Sequence, residues 1–79
     1  MSPTVFRAKG FRFYFFSREE PRIHVHAQSS DGEAKFWLEP RIELAVNYRL
    51  AAGDLGTIET LIVEHEDDIR AAWYRHFGH

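Results

Sequence analysis

Two histidines one residue apart, His24 and His26, stand in the run RIHVHAQ. Residues i and i+2 of a strand project to one face, so this spacing puts two groups that titrate near neutral pH within reach of one substrate. Two imidazoles can act as acid and base in cleaving an RNA phosphodiester by its own 2′-hydroxyl, with a cation steadying the charge that develops at phosphorus. Lys35, across the hairpin, is the candidate third member. Arg12 and Arg22 are further cations for that role, and Tyr14 or Trp37 offers a ring on which a base can stack. A half-exposed strand also accommodates histidines that are only solvated or bonded to their neighbours. As a metal site, H-x-H needs a third ligand, which Glu33, Glu39 or a partner's side chain would have to supply; no metal and no cofactor is assigned. A glycine-rich phosphate loop, a serine nucleophile elbow and a zinc-binding HExxH are absent. Glu64, Glu66, Asp67 and Asp68 read as a solvated helix face. His65 and His76, within or beside an apolar helical stripe, receive no role.

Short runs of β-branched and aromatic residues between turn residues predict the strands that position these groups. The runs are TVFRA from Thr4, FRFYFF from Phe11, RIHVHAQ from Arg22 and EAKFWLE from Glu33. Lys9-Gly10 supplies the first hairpin turn and residues 17–21 a longer loop. Ser29-Ser30-Asp31-Gly32 supplies the second hairpin turn, with Gly32 expected at positive φ. Pro40 ends the fourth strand, because it cannot donate to a ladder. Residues 41–47, RIELAVN, fit a short fifth strand or a helical turn-pair; strand is preferred for the alternation of Ile42, Leu44 and Val46. Beyond Leu50 the period changes to three and four, through Leu55, Ile58, Ile62, His65, Ile69 and Trp73, and one long helix is predicted. Gly53 and Gly56 weaken its start, which shifts the expected N-cap to Asp54, and Gly78 ends it.

Directly paired strand residues share a face, so hairpin registers sort the side chains. A two-residue Lys9-Gly10 loop pairs Ala8 with Phe11 and Phe6 with Phe13, collecting Phe6, Phe11, Phe13 and Phe15 on a core face. The second hairpin pairs Ala27 with Ala34, Val25 with Phe36 and Ile23 with Leu38. An amphipathic helix laid on that face gives an α+β domain: a small antiparallel sheet of four to five strands packed on one long C-terminal helix. The uncovered side is then expected to hold Arg7, Arg12, Tyr14, Arg22, His24, His26, Gln28, Lys35 and Trp37, with Glu33 and Glu39.

A length of 79 residues fits one domain. Its 44% apolar content and twelve aromatics exclude a disordered tail. With no cysteine, disulfides and thiolate zinc sites are excluded, and a cytoplasmic location is the expectation. No apolar run approaches a membrane span, and MSPTVFRAKG lacks the layout of a signal peptide. The net charge of -2 argues against a general nucleic-acid coat, but it is uneven: residues 1–49 hold eight Lys/Arg against six Asp/Glu, and residues 50–79 hold two against six.

The order PTVFR, FRFYFFSREE, PRIHVHA, GEAKFWLEP and AAWYRHFG resembles a small bacterial family known as domain of unknown function 4160. The likeness spans nearly the whole chain and departs at Gly53 and Gly56, where related helices are more helix-favouring. Members are often encoded beside another small domain of unknown function, and such pairs have been classed as type II toxin–antitoxin modules. The resemblance implies a toxin-like member of a two-gene module and draws attention to His24, His26, Lys35 and Trp37 without supplying a mechanism. Taken together, the expectation is a domain whose open sheet face engages a partner: RNA, cleaved with His24, His26 and Lys35 and bound by Arg7, Arg12, Tyr14, Arg22 and Trp37, or a protein. The protein partner would be small and antitoxin-like, or a second copy of the chain. An interface is an alternative use of the face because Arg, Tyr and Trp also dominate protein interfaces.

Overall fold

Lys9 and Gly10 both take positive φ, 51° and 84°, the backbone that a two-residue hairpin turn of the twist-compatible type demands. That turn joins β1 (Thr4–Ala8) to β2 (Phe11–Tyr14) in the computed structural model, which describes residues 4–16 and 21–78. Ala8 pairs with Phe11 and Phe6 with Phe13, as the loop length predicts, while a bulge interrupts the ladder between Thr4 and Phe6. The loop expected at 17–21 falls, apart from Pro21, outside the described residues.

The chain continues as β3 (His24–Gln28), β4 (Glu33–Trp37) and β5 (Glu43–Tyr48). All neighbours are antiparallel and follow sequence order, β1-β2-β3-β4-β5. The segment 41–47 is therefore strand from Glu43 onward, and the strand runs to Tyr48. The second hairpin has the predicted register, Ala27 on Ala34 and Val25 on Phe36, and Leu38 N–H still donates to Ile23 O at 3.0 Å beyond the ladder. Gly32 differs from expectation: only Gly10 and Gly78 among the described glycines have positive φ. Position 32 needs glycine for space, since a Cβ there would lie 2.1 Å from the Tyr48 carbonyl oxygen. The β5 end is closed by Asn47, whose amide donates to Leu50 O at 3.0 Å and accepts from Leu50 N–H at 3.1 Å, holding Arg49 at φ 68°.

The expected single helix is two, α1 (Ala52–Glu64) and α2 (Glu66–Phe77). His65 leaves helical geometry at φ -110°, ψ 18°. Its ring stacks on Phe6 at 4.2 Å, and its Nδ1 lies 3.7 Å from an Asp68 oxygen. The break places Glu66, Asp67 and Asp68 in the first turn of α2, where the helix dipole favours negative charge. Glu64, Asp67 and Asp68 are exposed, as a solvated face requires, and Glu66 pairs with Arg70. Asp54 is also relocated: Ala51 is the N-cap, and the Asp54 carboxylate accepts the Ala51 N–H at 3.3 Å. Gly78 ends α2 at φ 78° as expected.

Both helices cover the sheet face carrying Phe11, Phe13, Phe15, Val25, Phe36 and Leu38, and contribute Ile58, Leu61, Ile62, Ile69 and Trp73. Arg70 ties α2 to the end of β4, donating to Leu38 O at 3.0 Å and pairing with Glu39 and Glu66. Hydrogen bonding to Glu39 outweighs desolvation and raises the Arg70 pKa above its ordinary value. A raised cation is stabilising below its unfolded pKa and fails only as pH climbs past the folded one, so from the arginine side this tie persists through neutral and moderately alkaline pH. Glu39 thus serves the sheet–helix joint rather than the open face on which it was expected. An added Cβ at Gly53 or Gly56 meets nothing within 4 Å. Gly53→Ala and Gly56→Ala should each stabilise the protein by about 1 kcal/mol, read in thermal unfolding as a rise of about 4–8 °C.

Candidate functional site

Registers place the site. Tyr14 pairs with His26 across β2–β3, His26 with Lys35 and His24 with Trp37 across β3–β4. Directly opposed residues share a face with Cα atoms about 5 Å apart, so the five side chains form one patch, as the alternation predicts. Their rings are tiled. Tyr14 stacks on His26 at 5.3 Å, Phe16 meets the His26 ring at 4.5 Å, His26 meets His24 edge-on at 5.2 Å, and His24 meets Trp37 at 5.4 Å.

Cations lie over two of these rings: Arg12 over Tyr14 at 4.6 Å, and Arg22 and Lys35 over Trp37 at 4.0 and 4.3 Å. Such contacts contribute roughly 0.5–2 kcal/mol each according to desolvation. Further bonds fix the cations and the phenol. Arg12 Nε donates to Thr4 Oγ1 at 2.7 Å, Arg22 Nε donates to Glu39 O at 2.8 Å, and the Tyr14 hydroxyl donates to Glu33 Oε2 at 3.0 Å.

The His24 ring is bonded at Nδ1 to Arg22 O at 2.7 Å. A carbonyl only accepts, so the neutral ring carries its hydrogen on Nδ1 and its lone pair on Nε2. Yet His24 is fully buried, His26 is 9% exposed and Tyr14 3%, although the sequence places all three on an uncovered side. Trp73 of α2 packs against the His24 ring at 5.2 Å and meets Phe15 at 5.3 Å.

Phe16 is 44% exposed at one end of the ring cluster, and the face is also reachable toward β5. Arg22 is 42% exposed along its side chain, with the Glu43 carboxylate 4.0 Å away. Val46 is opposite Lys35 and Tyr48 opposite Glu33, and they are 56% and 58% exposed. Sequence reasoning missed both. Simple alternation groups Val46 with Leu44, whereas a bulge between the partners of Lys35 and Phe36 sets Leu44 opposite core residue Phe36 and turns Val46 to the other face. Arg7 sits at the far corner of the sheet, exposed and opposite Arg12.

Among the described residues no three His, Asp or Glu side chains converge on a point that could hold a metal ion, and no helix is long and apolar enough to cross a membrane. Residues 10–74 match a family model described as Domain of unknown function (DUF4160). No curated protein and no solved structure matches the chain.

Proposed function

The chain belongs to the DUF4160 family, and from that premise we propose that it is a binding module, the toxin-like member of a two-gene, toxin–antitoxin-type pair, docking a small partner protein through Trp37 and the β5 edge. The observation that carries this reading is the exposed Arg22 over half-buried Trp37, with half-buried Lys35, beside exposed Val46 and Tyr48. Trp, Tyr and Arg are the residues that concentrate binding energy at interfaces. β5 is the last strand of the sheet, with an outer backbone edge suited to pairing with another chain. The cations call for an acidic partner surface.

Ribonuclease action is the second reading. It draws on the His24–His26 ring pair at 5.2 Å, the fixed Nδ1 of His24 and Lys35 opposite His26. The burial of His24 weighs against it, since a proton carrier must come within hydrogen-bond reach of its substrate.

The test joins both. The protein is titrated calorimetrically with the product of the neighbouring gene, and total RNA is followed after induction in a bacterial host. Tyr48→Ser, at an exposed position, should weaken the complex at least about tenfold, as loss of an interface anchor does, with Tm unchanged. Unaltered affinity in that variant and in Trp37→Ala overturns the docking reading. RNA fragmentation that His26→Ala abolishes would replace it with the catalytic one, and a dimer of the protein alone would assign the β5 edge to a second copy.

A further inference from the structure

Five residues form one row across the open face: Arg7, Arg12, Gln28, Glu33 and Tyr48, each paired with the next. Two guanidinium groups therefore stand at adjacent positions of one ladder. Like charges directly opposite each other destabilise a sheet. Arg12 is held in place by Thr4 Oγ1 and the Tyr14 ring. Lys9 adds a third cation at the tip of the same hairpin, and it sits at φ 51°, a left-handed backbone that L side chains other than Asn and Asp rarely adopt. Among the described residues none of the ion pairs involves Arg7 or Lys9. The three cations line a cleft of about 530 Å³ together with Gln28, Ser29 and Ser30, and among the described residues no acidic one lines it.

A cation pair across a ladder and a lysine in a glycine-like conformation thus meet at one cleft whose remaining polar side chains, among the described residues, are amide and hydroxyl. Guanidinium forks match phosphate oxygens bidentately, an ammonium adds a point charge, and amide or hydroxyl donors complete such a shell. We propose that the cleft between the β1–β2 turn and the end of β3 is a phosphate site, taking a diphosphate-type small ligand or the phosphodiester backbone of a single RNA strand. It is independent of the docking reading, because none of its residues belongs to the Trp37–β5 patch.

Pyrophosphate and a fluorescently labelled oligouridylate are the two probes, each titrated into the intact protein at low salt. Saturable binding is expected. Lys9→Asn and Arg7→Gln should each weaken it about tenfold. Asn-Gly is the favoured sequence for this turn, so Lys9→Asn should at the same time raise Tm; a residue needed only to build the hairpin would not move stability and affinity in opposite directions. Binding of pyrophosphate alone identifies a small phosphorylated ligand. Oligouridylate binding that falls about 20-fold between roughly 50 and 200 mM salt, the dependence for three neutralised phosphates on a single strand, identifies RNA. Absence of saturable binding by both probes, or wild-type affinity in both variants, overturns the site.

Discussion

Trp73→Ala should strongly destabilise the protein. Trp73 is 1% exposed and touches Phe15, His24 and Phe77 at ring-centroid distances of 5.3, 5.2 and 4.3 Å, so it joins α2 both to the core and to the underside of the imidazole cluster. Truncating a fully buried tryptophan costs about 3–5 kcal/mol. A domain of this size has about 4–12 kcal/mol in all. Urea unfolding should therefore show about 3–5 kcal/mol of stability lost, and heating should show Tm lower by more than about 12 °C. Trp73→Phe keeps much of the packed area and should remain folded. A Trp73→Ala protein as stable as wild type would refute the packing role assigned to Trp73.

Gly32→Ala should destabilise by about 3 kcal/mol, at the upper end of what overpacking normally costs. The new Cβ would lie 2.1 Å from Tyr48 O and 3.1 Å from both the carbonyl carbon and Cβ of Arg49. Two of these three atoms are backbone, so rotating a side chain cannot relieve the contact, and β5 must move away from β4. Amide exchange should show protection lost around 46–48 before the rest of the sheet opens. Since β5 presents Val46 and Tyr48, partner affinity should fall with it. The contrast with Gly53→Ala is the check on mechanism: one chemical change is destabilising where backbone crowds the glycine and stabilising where the helix face is open. Equal behaviour at the two positions would refute the steric explanation.

Much of the candidate site was legible because strand alternation is a local rule. His24, His26, Lys35 and Trp37 were placed together by a turn length and a period of two, and the ladder has them so. Their accessibility was not legible. Alternation assigns a face and says nothing about which ring lies over which, so Tyr14, His24 and His26 read as open although they cover one another. Val46 and Tyr48 were lost for a related reason: the one-residue bulge that reorients Val46 depends on how β5 packs against β4 and leaves no mark on the hydrophobic pattern. Glu39 was assigned by parity to the open face, but its partner Arg70 is remote in sequence.

Residue types and their spacing specify the α+β class, the two hairpin registers, the sheet's core face, the strand-to-helix change after Leu50 and the stop at Gly78. Each rests on interactions within a hairpin or a helical turn, which residue type and spacing encode directly. The break at His65, the close approach that requires glycine at 32, the bulge in β5, the packing of Trp73 on His24 and the meeting of Arg7, Lys9 and Arg12 with Ser29 and Ser30 at one cleft arise with the assembled fold. These depend on contacts between segments far apart in the chain, and there packing and charge overrule what each segment would do alone.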